Sequence, residues 1–257
     1  MKVVILAGGK GTRLGSVSGL LPKPMIEVAG KPMIWHIMKI YSHYGFNDFV
    51  ICLGYKGHVI KDYFFNFKMH NGDFSINTST GEVVYESGSP DSWKVTLVET
   101  GLETLKGGRI KRIDKYLDSK INMLTYGDGV ADINVQDLLK FHESHGKMVT
   151  ITGVRPPSLF GEIVEKDGKV MSFEEKPQTQ KGLINGGFVV FNREMMNYFT
   201  TDQSCDFEFG PLEKLANDGE VMTYMHNGFW ECADTVRDIE HLNKLWQSGQ
   251  ASWKVWH

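Results

Sequence analysis

Near the start of the chain, Gly8-Gly9-Lys10-Gly11-Thr12-Arg13-Leu14 directly follows an apolar run and combines three glycines with two cations. Glycines remove Cβ atoms where a backbone turns sharply and approaches a bulky ligand. Successive backbone N–H groups in such a turn form a concavity for anions, to which Lys10 and Arg13 add charge. The chemistry this suits is phosphate binding. Two familiar glycine motifs do not fit. A dinucleotide fingerprint needs glycine where Leu14 stands, and no GxxxxGK followed by Ser or Thr occurs. Downstream, Lys23 lies between Pro22 and Pro24. Each proline fixes its own φ, and Pro24 biases Lys23 toward an extended conformation, so this lysine loses less entropy on meeting a phosphate. The bland alternatives are a ligand-free strand-to-helix turn and a solvated surface lysine.

Carboxylates come next. Tyr126-Gly127-Asp128-Gly129 closes a second apolar run, so Asp128 is expected at the carboxyl edge of a sheet, beside the glycine loop. A carboxylate facing a triphosphate is repelled unless a cation lies between them. Mg²⁺, held by one or two carboxylates with phosphate oxygens and waters, is the natural bridge. The competing reading is an Asp that stabilises a turn. Asp234, in Trp230-Glu231-Cys232-Ala233-Asp234-Thr235, is the second candidate, but its position also reads as a helix N-cap, with Thr235 and Asp238 forming a loose capping box. Glu175-Lys176-Pro177 and Asn185-Gly186-Gly187-Phe188 are weak signals alone. His142 and His145 lack a partner motif and read as surface or half-buried side chains. No Ser/His/Asp or Cys/His arrangement suggests a covalent intermediate.

The elements that must hold these residues follow from periodicity. Continuous apolar runs at residues 3–7 and 49–53 read as strands buried on both faces, followed by helices at residues 32–44 and 59–65. Pro32 suits a first helical position and Gly45 a C-terminal cap. Strands are expected at residues 95–98, 123–126, 148–154, 187–191 and 221–225. Helices are expected at 109–117, 135–145 with Asn134 as N-cap, 211–217 and 235–247. Residues 163–165 and 170–173 flank Lys166-Asp167-Gly168-Lys169, a hairpin turn. Residues 66–94 read as a loop or small hairpin. Strand–helix alternation implies an α/β fold: a doubly wound, mixed, mainly parallel sheet with a small antiparallel addition. One domain over residues 1–257 is the simplest account, with an antiparallel insertion at 155–191 and a C-terminal helix and tail at 235–257.

Bulk properties narrow the function classes. A formal net charge of −3 argues against a nucleic-acid binder relying on a broad basic field. The three cysteines are widely spaced and form no CxxC pair, so reduced thiols in a cytoplasmic, soluble protein are expected. No apolar run approaches membrane-spanning length.

The run LAGGKGTRL, then PKPM, then GKPMIWHIMKIY resembles the sugar-nucleotide pyrophosphorylase family. Further similarity to its cytidylyltransferase branch lies in Gly54-Tyr55-Lys56-Gly57, Gly107-Gly108-Arg109, Tyr126-Gly127-Asp128-Gly129-Val130 and the ending Trp253-Lys254. The resemblance implies that CTP and glucose 1-phosphate are joined, with Mg²⁺ on Asp128 and Asp234; charge and hydropathy lead to the expectation of no nucleic-acid or membrane partner. It implies nucleotide or substrate contacts from Leu6, Ala7, Gly8, Gly9, Lys10, Gly11, Thr12, Arg13, Thr104, Arg109 and Gly127. Lys23 would meet a substrate phosphate, Lys176 the sugar phosphate, and the segment containing Gly187 the sugar. Arg13, Lys23 and Asp128 would be catalytic. Relatives form oligomers, so a homo-oligomer is expected, and the tail Trp253-Lys254-Val255-Trp256 could supply a contact or fold back. UTP or dTTP chemistry, another sugar, and a non-catalytic sugar-nucleotide-binding subunit stay open.

Overall fold

The computed structural model describes residues 1–11, 21–86, 91–156, 162–166, 169–174 and 182–256. Its central sheet has seven strands: β1 (Val3–Leu6), β2 (Asp48–Leu53), β3 (Lys94–Glu99), β4 (Ile121–Tyr126), β5 (Val149–Val154), β6 (Ile184–Asn192) and β7 (Val221–Met225). In space they run β7-β5-β6-β4-β1-β2-β3. Every neighbouring pair is parallel except those made by β6, which is antiparallel to both β4 and β5. The mixed, mainly parallel α/β sheet expected from the alternation is therefore present.

Side-chain alternation along β1 divides the interior. Val3 and Ile5 enter one core with Phe49, Ile51 and Met123, whereas Val4 and Leu6 enter the other with Val50, Cys52 and Leu124. A strand covered on both faces has no polar side, which is why these segments read as unbroken apolar runs. Helices α1 (Met33–His43), α2 (Gly57–Phe65), α4 (Val135–His145) and α5 (Val236–Gln247) contribute to the first core, and α3 (Lys106–Arg112) to the second.

Several boundaries differ from expectation. Pro32 is the residue before α1, with φ −65° and ψ 149°, because Lys31–Pro32 bridges Glu27–Val28. The helix expected at 109–117 starts earlier and stops at Arg112, followed by a separate 3-10 turn at Asp114–Tyr116 whose Asp114 carbonyl is taken by Arg193. Residues 66–94 hold a short helix, Phe67–Asn71, and an exposed hairpin of Phe74–Ile76 with Val83–Tyr85. Glu162–Lys166 pairs with Lys169–Glu174 as the expected hairpin, though its turn lies outside the described residues. His142 is buried, not at the surface, with its ring nitrogens on Thr150 and Asn192. The tail folds back: Trp253 and Trp256 are buried against α1, and the Trp253 indole N–H donates to His36 at 3.4 Å.

One pairing had no signal in the periodicity. Gly129–Ala131, just after β4, pairs antiparallel with Trp230–Cys232, and the Ala233 N–H donates to the Asp128 carbonyl at 2.9 Å.

Candidate active site

Strand order reverses around β1. The chain runs out from β1 through β2 to β3, then returns to place β4 on the other side of β1. In open α/β sheets ligands bind beyond the carboxyl ends of the strands at such a switch point. The segments that leave β1 and β4 there are the glycine loop and Gly127-Asp128.

The structure brings most expected residues to one place. Leu6, Ala7, Gly9 and Gly11 line one cleft together with Lys23, Gly127, Asp128 and Asp234. Thr12, Arg13 and Lys176 lie outside the described residues. Close packing explains the glycines. A Cβ on Gly8 would stand 2.2 Å from Arg109 Nη1, and one on Gly127 would stand 2.7 Å from Pro24 Cγ. Gly187 has φ +82°, and its added Cβ would meet the Tyr126 ring at 2.8 Å.

Lys23 does not take the extended conformation expected before proline. It opens a 3-10 turn, Lys23–Met25, closed by Met25 N–H donating to the Pro22 carbonyl at 2.8 Å. The pre-proline preference is a steric bias that this hydrogen bond outweighs. The turn aims the lysine at the carboxylates: Nζ lies 2.5 Å from Asp128 Oδ2 and also pairs with Asp234 Oδ1. Burial opposes the ammonium charge, but Asp128 and Asp234 more than offset that, so the Lys23 pKa lies above its ordinary value.

The competition between cap and ligand at Asp234 resolves spatially. Thr235 caps α5 by accepting from the Asp238 N–H, and the Asp238 carboxylate accepts from the Thr235 N–H at 2.7 Å. The Asp234 side chain is turned to Lys23 instead, with the Cys232 thiol donating to its Oδ2 at 3.4 Å. Two carboxylates thus converge on one cationic atom. Among the described residues no three His, Cys, Asp or Glu side chains cluster to enclose a metal. Two carboxylates lining an open cleft would leave an ion room for phosphate and water ligands, a donor set that fits Mg²⁺.

Other expected residues have less direct geometry. Lys10 pairs with Glu103 at the exposed rim, 2.7 Å away. Arg109 is buried and donates to the carbonyls of Gly8, Leu53, Gly101 and Leu102 and to the Thr100 hydroxyl, at 2.7–3.2 Å. Burial lowers its pKa. Thr104 is buried too and accepts from Arg112 at 2.8 Å. Arg109 and Thr104 border a recess with Gly8 and Gly9. In this structure Arg109 braces the glycine loop through main-chain carbonyls.

Beyond the carboxylates a further cavity opens, lined by Lys106, Tyr126, Gly187, Trp230 and Cys232 and sharing Asp128 and Asp234 with the cleft. Sequence reasoning missed Lys106, Tyr126 and Trp230. Tyr126 precedes the Gly-Asp-Gly turn and offered a signal; Lys106 and Trp230 had none, because only tertiary pairing brings them here.

The family model described as nucleotidyl transferase matches residues 2–248. The chain belongs to the nucleotidyl transferase family. This nucleotidyl transferase is 45% identical over 257 residues to the glucose-1-phosphate cytidylyltransferase of Salmonella typhimurium, covering 100% of both chains. It is 44% identical over 256 residues, again covering 100% of both, to a probable glucose-1-phosphate cytidylyltransferase of Bacillus subtilis. Among solved structures, HddC from Yersinia pseudotuberculosis has the same fold, with TM-score 0.70 and 24% identity over 95% of this nucleotidyl transferase and 99% of that chain. The family and the doubly wound fold agree with the expectations drawn from the glycine loop and the strand–helix alternation.

Proposed function

We propose that this protein transfers a cytidylyl group from CTP to glucose 1-phosphate, releasing pyrophosphate and forming CDP-glucose. The observation that carries the chemistry is the meeting of Lys23, Asp128 and Asp234 beside the glycine loop at the switch point. The choice of substrates rests on full-length similarity to cytidylyltransferases at 44–45% identity. A phosphate oxygen of glucose 1-phosphate attacks the α-phosphorus of CTP in line. The bond from that phosphorus to the bridging oxygen breaks, and pyrophosphate leaves with the electron pair. The attacking oxygen is already anionic, so no general base is required. The difficulty is electrostatic, because two polyanions must meet.

Each residue has a task in that problem. The glycine loop receives the triphosphate on its backbone N–H groups, with Lys10 and Arg13 adding charge. Asp128 and Asp234 would hold Mg²⁺, which when bound neutralises phosphate charge as a Lewis acid. Lys23 then exchanges its carboxylate partners for a substrate phosphate. Thr104 and Arg109 shape the recess for the nucleotide, Gly187 lines the cavity on the sugar side, and the family resemblance gives Lys176 the sugar phosphate as its partner. The same cation-lined cleft serves the reverse direction, since one phosphoanhydride bond is broken and another made.

The test is pyrophosphate release across four nucleoside triphosphates and several sugar phosphates, with and without Mg²⁺. CTP with glucose 1-phosphate should be fastest, and pyrophosphate with CDP-glucose should regenerate CTP. A faster rate with UTP or dTTP overturns the base assignment. Binding without turnover in any combination favours a regulatory subunit.

A further inference from the structure

Two recesses meet at one wall. The recess beside the glycine loop and the cavity beyond the carboxylates share Lys106, Tyr126 and Asp128. If the loop side takes the nucleotide and the far side the sugar phosphate, as the function proposed above requires, the reacting phosphates meet at that shared wall. Asp128 brings negative charge to it. Lys106 brings positive charge, at the first residue of α3.

Lys106 is held in place by a small network. Its Nζ lies 2.5 Å from Glu208 Oε1 and 5.5 Å from the centre of the Tyr126 ring. The Tyr126 hydroxyl donates to the same Oε1 at 2.5 Å and accepts from Asn185 Nδ2 at 3.1 Å. Asn185 Oδ1 in turn accepts from the Gly187 N–H at 3.0 Å. The network thus ties α3, β4 and β6 to the irregular turn at Glu208–Leu212, where Gly210 has φ +103°.

The arrangement is expensive if it serves only as a surface ion pair. Glu208 Oε2 is buried with no hydrogen-bond partner among the described residues, and a desolvated carboxylate oxygen left unpaired costs stability. What it achieves is an ammonium fixed at the wall common to both recesses, with its side chain 43% exposed and reachable by ligand.

We propose that Lys106 is a further phosphate-binding residue of the reacting centre, with Glu208 and Tyr126 as the residues that position it. It borders the two recesses that share Asp128, whereas Lys23 borders the cleft that contains the same carboxylate. On substrate entry its Nζ moves from Glu208 Oε1 to a phosphate oxygen or bridges the two, while the Tyr126 hydroxyl keeps Glu208 satisfied. No bond is made or broken by Lys106; it lowers the repulsion between the two anions.

The experiment compares Lys106→Met, Lys106→Arg and Glu208→Gln with wild type by steady-state kinetics, thermal melting and calorimetric binding of CDP-glucose. Lys106→Met should lower kcat about 100-fold, within the range for losing one preorganised donor, and weaken CDP-glucose binding about tenfold. Lys106→Arg should restore kcat to within tenfold of wild type. Glu208→Gln should lower kcat about tenfold without lowering the melting temperature, a combination that a purely structural ion pair does not produce. Lys106→Met with kcat and binding both within threefold of wild type overturns the proposal. UDP-glucose and dTDP-glucose are titrated in parallel. Should wild type prefer one of them, the substrate assignment fails while Lys106 is judged on that ligand.

Discussion

Replacing Lys23 with methionine should push two properties in opposite directions. In the structure the Lys23 ammonium stands between Asp128 and Asp234, with its side chain 14% exposed and theirs 28% and 30%. Lys23→Met leaves two carboxylates facing each other at roughly 5 Å, which at an effective dielectric of about 20 amounts to about 3 kcal/mol of repulsion. Solvent screening of partly exposed groups brings the expected loss of stability to about 1–2 kcal/mol, or roughly 2–8 °C in Tm. The same change favours a dication. Taking one positive charge away from about 5 Å is worth about 1.7 kcal/mol even at the dielectric of water, so divalent affinity rises at least about tenfold. Turnover should nevertheless fall about 10²–10³-fold, because the lysine is absent when phosphate charge develops. The assays are Mn²⁺ binding without nucleotide, by electron paramagnetic resonance or calorimetry, melting with and without Mn²⁺, and pyrophosphate release. Manganese should restore the lost stability of the variant. A variant that binds Mn²⁺ no more tightly than wild type, and turns over within threefold of it, would refute the reasoning.

Three further expectations test the scaffold. Gly8→Ala drives a Cβ to 2.2 Å from Arg109 Nη1, so the loop or the guanidinium must shift; a lower Tm and at least a tenfold loss of turnover should follow. Thr235→Ala removes the hydroxyl half of the capping box on α5 and should cost about 1 kcal/mol, read as a Tm lower by about 2–4 °C in a chain of this size. His36 is buried among Trp35, Trp246, Trp253 and Trp256, and burial lowers its pKa from 6.5 to about 4. The unfolded chain therefore takes up this proton first as pH falls. The contribution is complete above pH 6.5 and is lost as pH drops toward 4, by about 3 kcal/mol in all. Chemical denaturation across pH 4–7 should show that slope for wild type and a flatter one for His36→Gln.

Much of this molecule is legible without coordinates, because buried parallel strands and glycine turns are local. The apolar runs at β1, β2 and β4 lie where their composition puts them, and α4 begins directly after Asn134, whose side chain accepts from the Gln136 and Asp137 N–H groups. The glycine loop and Gly127-Asp128 follow adjacent strands, so their meeting needs only that β1 and β4 be neighbours. The elements at 32 and 109–117 differ from expectation because Lys31–Pro32 bridges Glu27–Val28, and because a separate 3-10 turn, closed by Leu117 N–H and also held by Arg193 on the Asp114 carbonyl, follows Arg112.

The partner of Asp128 was decided elsewhere. Asp234 reaches it because a three-residue strand at Trp230–Cys232 pairs with Gly129–Ala131, about a hundred positions away in the chain. Three residues are too few to carry a period, and pairing over that separation depends on sheet order and loop closure, not on neighbouring side chains. The same holds for Lys106, Tyr126 and Glu208, which meet only after β4, α3 and the turn at Glu208–Leu212 have packed together. Local residue types and spacing determined the strands, the glycine loop and the first carboxylate. Which charges face one another across the cleft was decided by tertiary structure alone, since a Coulomb interaction depends on distance in space and not on separation along the chain.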